Sequence, residues 1–96
     1  DAYVVGIGDA ADAATLKVVQ ALRSQDFAAD RDYLARKPTA QFKTADRLNA
    51  AYTLTLGEAE LAANTIHVKN MATGNEVSAS LDDVLTDFAN VIASTN

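Results

Sequence analysis

The chain has 96 residues, which is enough for one domain of ordinary size and too few for two. It contains no cysteine, which excludes disulfides, thiolate metal sites and cysteine nucleophiles. Its net charge of −5 argues against non-specific binding of nucleic acid by the whole surface. No stretch is apolar over the roughly 18 residues of a membrane helix, and no signal peptide opens the sequence. We therefore expect a single domain over residues 1–96, in the cytoplasm and without a membrane partner.

The first third of the chain predicts a strand, a helix and a second strand. Residues 3–7 are apolar and rich in β-branched side chains, as is typical of a buried strand. Asp9 and Asp12 precede apolar residues at helical spacing, and carboxylates favour the start of a helix. A helix is therefore predicted to begin near these residues and to run to about Ser24. Gln25 and Asp26 then turn the chain. Residues 27–33 alternate in part and predict the second strand, followed by a loop over residues 34–37.

The middle of the chain predicts a second helix and a third strand. The helix begins with Pro38 in its first turn or with Thr39 as its cap, and the sequence does not decide between the two. Phe42, Ala45 and Leu48 lie on one face of this helix, and Asn49 suits a left-handed stop. Residues 51–56 alternate between apolar and polar side chains and predict a strand.

The last third predicts a hairpin and a long helix. Residues 58–63 predict a short helical turn, and residues 65–70 and 76–80 predict two strands joined by a tight turn in which Gly74 takes a positive φ. Ser80 is the predicted cap of a final helix, with Asp83 at the reciprocal position and one apolar stripe from Leu81 to Ile92. The order of elements predicts a mixed sheet of five strands with helices packed on it.

The charge is distributed unevenly. Residues 31–47 hold five basic and two acidic side chains, a net charge of +3, whereas the other residues hold three basic and eleven acidic side chains, a net charge of −8. Within this segment, Arg36, Lys37, Gln41 and Lys43 cluster where a loop enters a helix, and helix starts favour anions. Arginine and lysine can bind phosphates, and glutamine can read a base edge. Phe42 could stack on a base, but its helical register favours packing in the core.

No candidate active site stands out. Gly6-Ile7-Gly8 follows a strand and precedes a helix, but it lacks the third glycine of a dinucleotide loop and Asp9 occupies the turn. The carboxylates of residues 58, 60, 82 and 83 suit polar turns and helix starts. His67 has no acid–base companion in the sequence. An independent small enzyme of the α/β class therefore lacks candidate residues, and recognition is the favoured function.

Three successive segments carry a family resemblance. Residues 41–50 (QFKTADRLNA) resemble the pattern K-x-Q-F/L-K-x-A-D-K-x-G-A, residues 52–61 (YTLTLGEAEL) are similar to a strand that ends in L-G-E-x-E, and residues 65–74 (TIHVKNMATG) resemble a V-x-V-K-D-x-x-T-G hairpin. All three patterns occur in the C-terminal anticodon-binding domain of class II histidyl-tRNA synthetases. Together with the first strand and helix, the resemblance spans essentially the whole chain.

The resemblance implies a three-layer α/β/α fold with a mixed five-stranded sheet, and it implies binding of a tRNA anticodon stem-loop. It also implies that a catalytic core, which uses ATP, Mg²⁺ and histidine, precedes the domain in a longer and homodimeric synthetase, so that the domain itself needs no cofactor and carries no catalytic residue. The family's anticodon contacts match Lys37, Gln41, Glu60 and Lys69 here. We expect Lys37 and Gln41 to be exposed, with Gln41 reading a base and Lys37 attracting phosphate.

The sequence also departs from the family pattern. Thr39 and Ala40 stand where the family has basic residues just before the glutamine, and Asn49 replaces a common glycine. These departures and the acidic total keep one alternative open: a paralogous regulatory or protein-interaction domain that has the fold but does not bind tRNA.

Overall fold

The structure is a computed structural model that describes residues 2–8, 11–31 and 38–95. Within these ranges it does not describe the side chains of Ala11, Asp12, Pro38, Thr39 and Phe42. The strands are β1 (Ala2–Gly6), β2 (Ala29–Arg31), β3 (Tyr52–Leu56), β4 (Thr65–Asn70) and β5 (Glu76–Ser80). The helices are α1 (Ala11–Ser24), α2 (Pro38–Arg47), α3 (Glu58–Ala63), α4 (Leu81–Thr86) and α5 (Phe88–Ala93).

The five strands form one mixed sheet in the order β2-β1-β3-β4-β5. β1 pairs in parallel with both β2 and β3, while β3–β4 and β4–β5 pair antiparallel. The predicted five-stranded α/β sheet with flanking helices is therefore confirmed. Gly74 has φ 78° in the β4–β5 hairpin, as predicted, and its N–H donates to the Asn70 carbonyl at 2.8 Å.

Side chains alternate across the sheet and create two cores of unequal size. The larger core lies between the sheet and helices α1, α4 and α5, and Phe88 at its centre contacts Phe27 and Tyr52 edge to face with ring centroids 5.0 and 5.9 Å apart. The smaller core lies on the opposite face, where α2 packs over β1, and its buried members among the described side chains are Tyr3, Val5 and Ala45. Helices thus lie on both faces of the sheet, which gives three layers.

The second strand and the second helix differ in part from the prediction. β2 begins only at Ala29, because the N–H of Phe27 donates to the Leu22 carbonyl and so closes the end of α1. α2 begins at Pro38, which places Thr39 inside the helix and excludes it as the cap. Leu48 is 58% exposed rather than buried beside Ala45, because the helix ends at Arg47 and the chain turns there.

The final helix is also divided, although one continuous helix was predicted. α4 ends at Thr86 and α5 begins at Phe88, with Asp87 between them at φ −149° and ψ 65°. Gln25 enters this break: its side-chain amide donates to the carbonyls of Val84 and Leu85, each at 3.1 Å, and its oxygen accepts from the Phe88 N–H at 2.8 Å. Ser80 occupies the N-cap position of α4, but its side chain makes no capping hydrogen bond.

Candidate nucleic-acid interface

The carboxyl ends of the three parallel strands meet at one edge of the sheet. β1 is connected to β2 on one side, whereas β3 leads to β4 on the other, so the chain changes direction between β1 and β3. Ligands of open α/β sheets bind at such a point. α2 and α3 both begin at this carboxyl edge, and they carry the predicted residues Gln41 and Glu60.

Gln41 is not exposed, and on this point the prediction is wrong. The residue is 5% exposed, its Oε1 accepts from the Gly6 N–H at 3.1 Å, and its Nε2 donates to the Gly6 carbonyl at 2.9 Å. The described part of β2 ends at Arg31 opposite Val4, two residues short of Gly6. The side-chain amide therefore bonds to the end of β1 as a neighbouring peptide group would. Its predicted contact with RNA stays a prediction.

Glu60 lies at the same edge, on the neighbouring strand end. Gly57 follows β3, and the Oε2 atom of Glu60 lies 3.4 Å from the position that a Cβ atom would take on Gly57. The same position is 3.5 Å from the Cβ of Ile7, which follows β1. Because Gly6 pairs with Leu56, the structure brings Gln41 and Glu60 to adjoining strand ends. Glu60 is partly exposed and can reach a ligand there.

Lys69 lies apart from this edge, on an open face of the sheet. It pairs with Thr53 near the start of β3, about 10 Å along the strand from Leu56. Its side chain points to the α2 side of the sheet, because Val68 and Asn70 on either side of it point to the other face. α2 packs over β1, so β4 and β5 remain exposed on this face: His67 is 40% and Glu76 50% exposed at the side chain.

The remaining predicted residues do not join this group in the part of the chain that the structure describes. Lys43 is exposed on α2, about 200° round the helix from the buried Gln41, so it faces solvent rather than β1. Arg36 and Lys37 lie outside the described residues, as does the side chain of Phe42. The basic loop that was expected to meet phosphates therefore stays a prediction.

The sequence did not predict a role in binding for the polar side chains that share the open face with Lys69, which are Thr55, Thr65, His67, Glu76 and Ser78, nor for the buried Thr53 beside them. The Nε2 atom of His67 lies 3.3 Å from the Oε1 atom of Glu76. The hydroxyl of Thr53 is buried and has no hydrogen-bond partner in the part of the chain that the structure describes. The alternation of polar and apolar residues in β3 and β4 was the signal that places these side chains together.

The structure also bears on the alternatives weighed from the sequence. Both backbone polar groups of Gly6 are bonded to Gln41, so the Gly6-Ile7-Gly8 turn does not offer the Gly6 N–H to a phosphate. Asp82 and Asp83 lie in the first turn of α4, as expected of carboxylates at a helix start. Among the described residues, no three metal-ligating side chains come together and no helix is long and apolar enough to cross a membrane.

Comparisons with known proteins agree with this architecture. The family model described as "Anticodon binding domain" matches residues 1–90. A curated histidine–tRNA ligase from Levilactobacillus brevis is 64% identical over 93 residues, which are 97% of this chain and 22% of that protein. The corresponding ligase of Streptococcus pyogenes is 46% identical over 91 residues, 95% of this chain and 21% of that protein. The chain thus spans about a fifth of the length of the curated relatives that it matches.

Solved structures give the same result. The apo histidyl-tRNA synthetase of Staphylococcus aureus superposes with a TM-score of 0.83 at 44% identity, over 88% of this chain and 25% of that one. The RNA-binding domain of threonyl-tRNA synthetase from Cryptosporidium parvum superposes with a TM-score of 0.81 at 20% identity over the whole chain and 23% of that one, a likeness of fold alone. The chain belongs to the family of anticodon-binding domains.

Proposed function

We propose that this chain is the tRNA-recognition module of a histidine–tRNA ligase, in which it binds the anticodon stem-loop and positions histidine tRNA for a catalytic core that lies elsewhere in a longer chain. The observation that carries this proposal is the half-covered sheet: among the described residues, one face is closed by helices, and the other is left open over β4 and β5 with polar side chains. In addition, the ligases matched above include relatives at 46 to 64% identity.

The chemistry of the open face suits a single-stranded RNA loop. Anticodon bases are unpaired and offer hydrogen-bonding edges together with phosphates and 2′-hydroxyl groups. The threonine and serine hydroxyls can donate and accept, and Lys69 can bind a phosphate or a base oxygen. Glu60, at the carboxyl edge, can accept from the amino group of a base.

Several parts of the proposal concern the protein as a whole. The ATP, Mg²⁺ and histidine chemistry belongs to the catalytic core and requires no cofactor in this domain. We further propose that the ligase is a cytoplasmic homodimer, as the resemblance implies. The alternative of a paralogous regulatory domain without RNA binding receives no support from the relatives reported above, which carry ligase names.

The test is a titration of this chain with a histidine-tRNA anticodon stem-loop at several salt concentrations. We expect a dissociation constant on the order of micromolar or weaker, because the chain has few basic side chains to bind phosphates and its net charge is negative. The affinity should fall as the salt concentration rises. Lys69→Ala should weaken binding several-fold and reduce the salt slope by about one.

Lys17→Ala is the matched control, because Lys17 is exposed on α1, on the other side of the sheet. It should leave the affinity within error of the unmodified chain. Equal losses from the two lysine substitutions would mean that RNA is attracted to charge anywhere on the surface. A chain that binds the stem-loop no better than an unrelated hairpin would contradict the proposed function.

A further inference from the structure

The buried amide of Gln41 has a consequence for how the interface is built. We propose that Gln41 is a positioning residue, which holds the first turns of α2 against the carboxyl edge of β1 and does not itself touch RNA. The proposal depends on the proposed function only where it concerns RNA. The attachment of α2 to β1 is a claim about this chain alone and can be tested by itself.

The chemistry of glutamine explains why this residue type suits the position. The N–H and the carbonyl of one strand residue point to the same side of the strand, and those of Ala2 point toward β2, where the Ala2 N–H donates to the Ala28 carbonyl. The N–H and the carbonyl of Gly6, four residues further along β1, point to this same side of the strand. A partner for both groups of Gly6 needs one acceptor and one donor side by side, and a primary amide supplies them.

The position of Gln41 relative to Ala45 explains why such an attachment matters. In the part of the chain that the structure describes, Ala45 is the α2 side chain in the small core, together with Tyr3 and Val5 of β1. Alanine buries little apolar surface, so this side chain contributes little hydrophobic burial to the attachment of the helix. Gln41 holds the helix one turn before Ala45. Without the amide, Ala45 should still hold the later turn, while the start of α2 should become free to move.

Hydrogen exchange on the folded chain tests this part directly, with Gln41→Met as the variant because methionine has a similar length and no strong hydrogen-bonding group. We expect the amides of residues 40–44 to exchange about tenfold faster or more, and the amides of β3 and β4 to keep their protection. Gln20→Met, at an exposed glutamine of α1, is the matched control and should change neither region. Exchange that rises uniformly, or that does not change in α2, would overturn the proposal.

Gln41→Glu adds a pH-dependent check on the same bonds. At neutral pH a carboxylate can accept from the Gly6 N–H but cannot donate to the Gly6 carbonyl, whereas a protonated carboxyl can do both. The excess exchange of α2 over the unmodified chain at the same pH should therefore be large at neutral pH and should shrink as the pH falls through the carboxyl's pKa. An excess that does not depend on pH would contradict the two-bond account.

Binding of Gln41→Met to matched and mismatched anticodon stem-loops separates positioning from the other roles, at a temperature where the variant is folded. A positioning residue predicts a similar loss for both loops, about three- to tenfold, because the whole start of α2 is displaced. A loss of affinity confined to the matched loop would show that Gln41 reads a base. Unchanged affinity for both loops with a lower Tm would show that Gln41 has a role in stability alone. Either result would overturn the proposal. If the unmodified chain binds neither loop, the proposed function fails, and the exchange experiment still decides whether Gln41 holds α2.

Discussion

The two faces of the sheet differ in how they are covered, although the same strands supply both. On one face, α1, α4 and α5 enclose a core that runs from β1 to β5 and includes the fully buried Val4, Leu54 and Phe88. On the other face, in the part of the chain that the structure describes, α2 covers β1 over a core that includes Tyr3, Val5 and Ala45, and the polar side chains of β4 and β5 meet solvent. Under the proposed function, stability and recognition are therefore assigned to opposite faces of one sheet.

The largest expected effect is on the enclosed face. Phe88→Ala should lower the free energy of unfolding by about 3–5 kcal/mol, because the ring is fully buried against Phe27 and Tyr52 and its removal leaves a cavity. Urea unfolding of the two chains measures the difference. Phe88→Leu retains most of the apolar contact and should cost clearly less. A loss below about 1 kcal/mol for the alanine variant would mean that this core does not carry the stability of the domain.

Adjacent valines on β1 permit a direct comparison of the faces. Val4 and Val5 are both fully buried, and they point to opposite sides of the sheet. Val4→Ala should cost about 2–3 kcal/mol, since three helices prevent the cavity from closing, whereas Val5→Ala should cost about 1–2 kcal/mol because α2 can move in. Unfolding measurements on both variants under one condition give the difference. Equal costs would show that α2 is held as rigidly as the helices opposite.

The smallest expected effect concerns Thr53, a buried residue of β3 beside the open face. Its hydroxyl is buried and lacks a partner in the part of the chain that the structure describes, which is unfavourable for folding. Thr53→Val keeps the shape of the side chain and should leave the free energy of unfolding unchanged or raise it by up to about 1 kcal/mol. Thr55→Val, on the same strand face but only partly buried, is the control and should change it less. A clear destabilisation by Thr53→Val would show that the hydroxyl makes a hydrogen bond in solution.

Periodic patterns predicted most of the fold, because they record which face of an element is apolar. The alternation in β3 and β4 placed Leu54 and Val68 in the core and left Thr55 and His67 on the other side, as the structure confirms. Positive φ at Gly74 and Asn49 followed from turn chemistry. These properties depend on neighbours a few residues away along the chain, so they can be predicted from the local sequence.

The interface was predicted only in outline. The resemblance indicated anticodon binding, and the comparisons confirm the family, but the role of Gln41 did not follow from its surroundings in the sequence. A glutamine at the start of a helix beside basic residues has the same local pattern whether its amide meets solvent or another strand. The partner, Gly6, is 35 residues away, and the bond exists because α2 crosses the end of β1.

The same distinction applies to the last helix. The sequence by itself determined an apolar stripe from Leu81 to Ile92, and those side chains do face the large core. Only the tertiary structure decided that the stripe is divided at Asp87. Backbone groups at this break, which would bond to each other in an uninterrupted helix, bond instead to the side chain of Gln25, about 60 residues earlier. Local periodicity thus determines which side of each element is buried. Polar side chains that replace backbone partners across the fold determine where α2 attaches and where the final helix breaks.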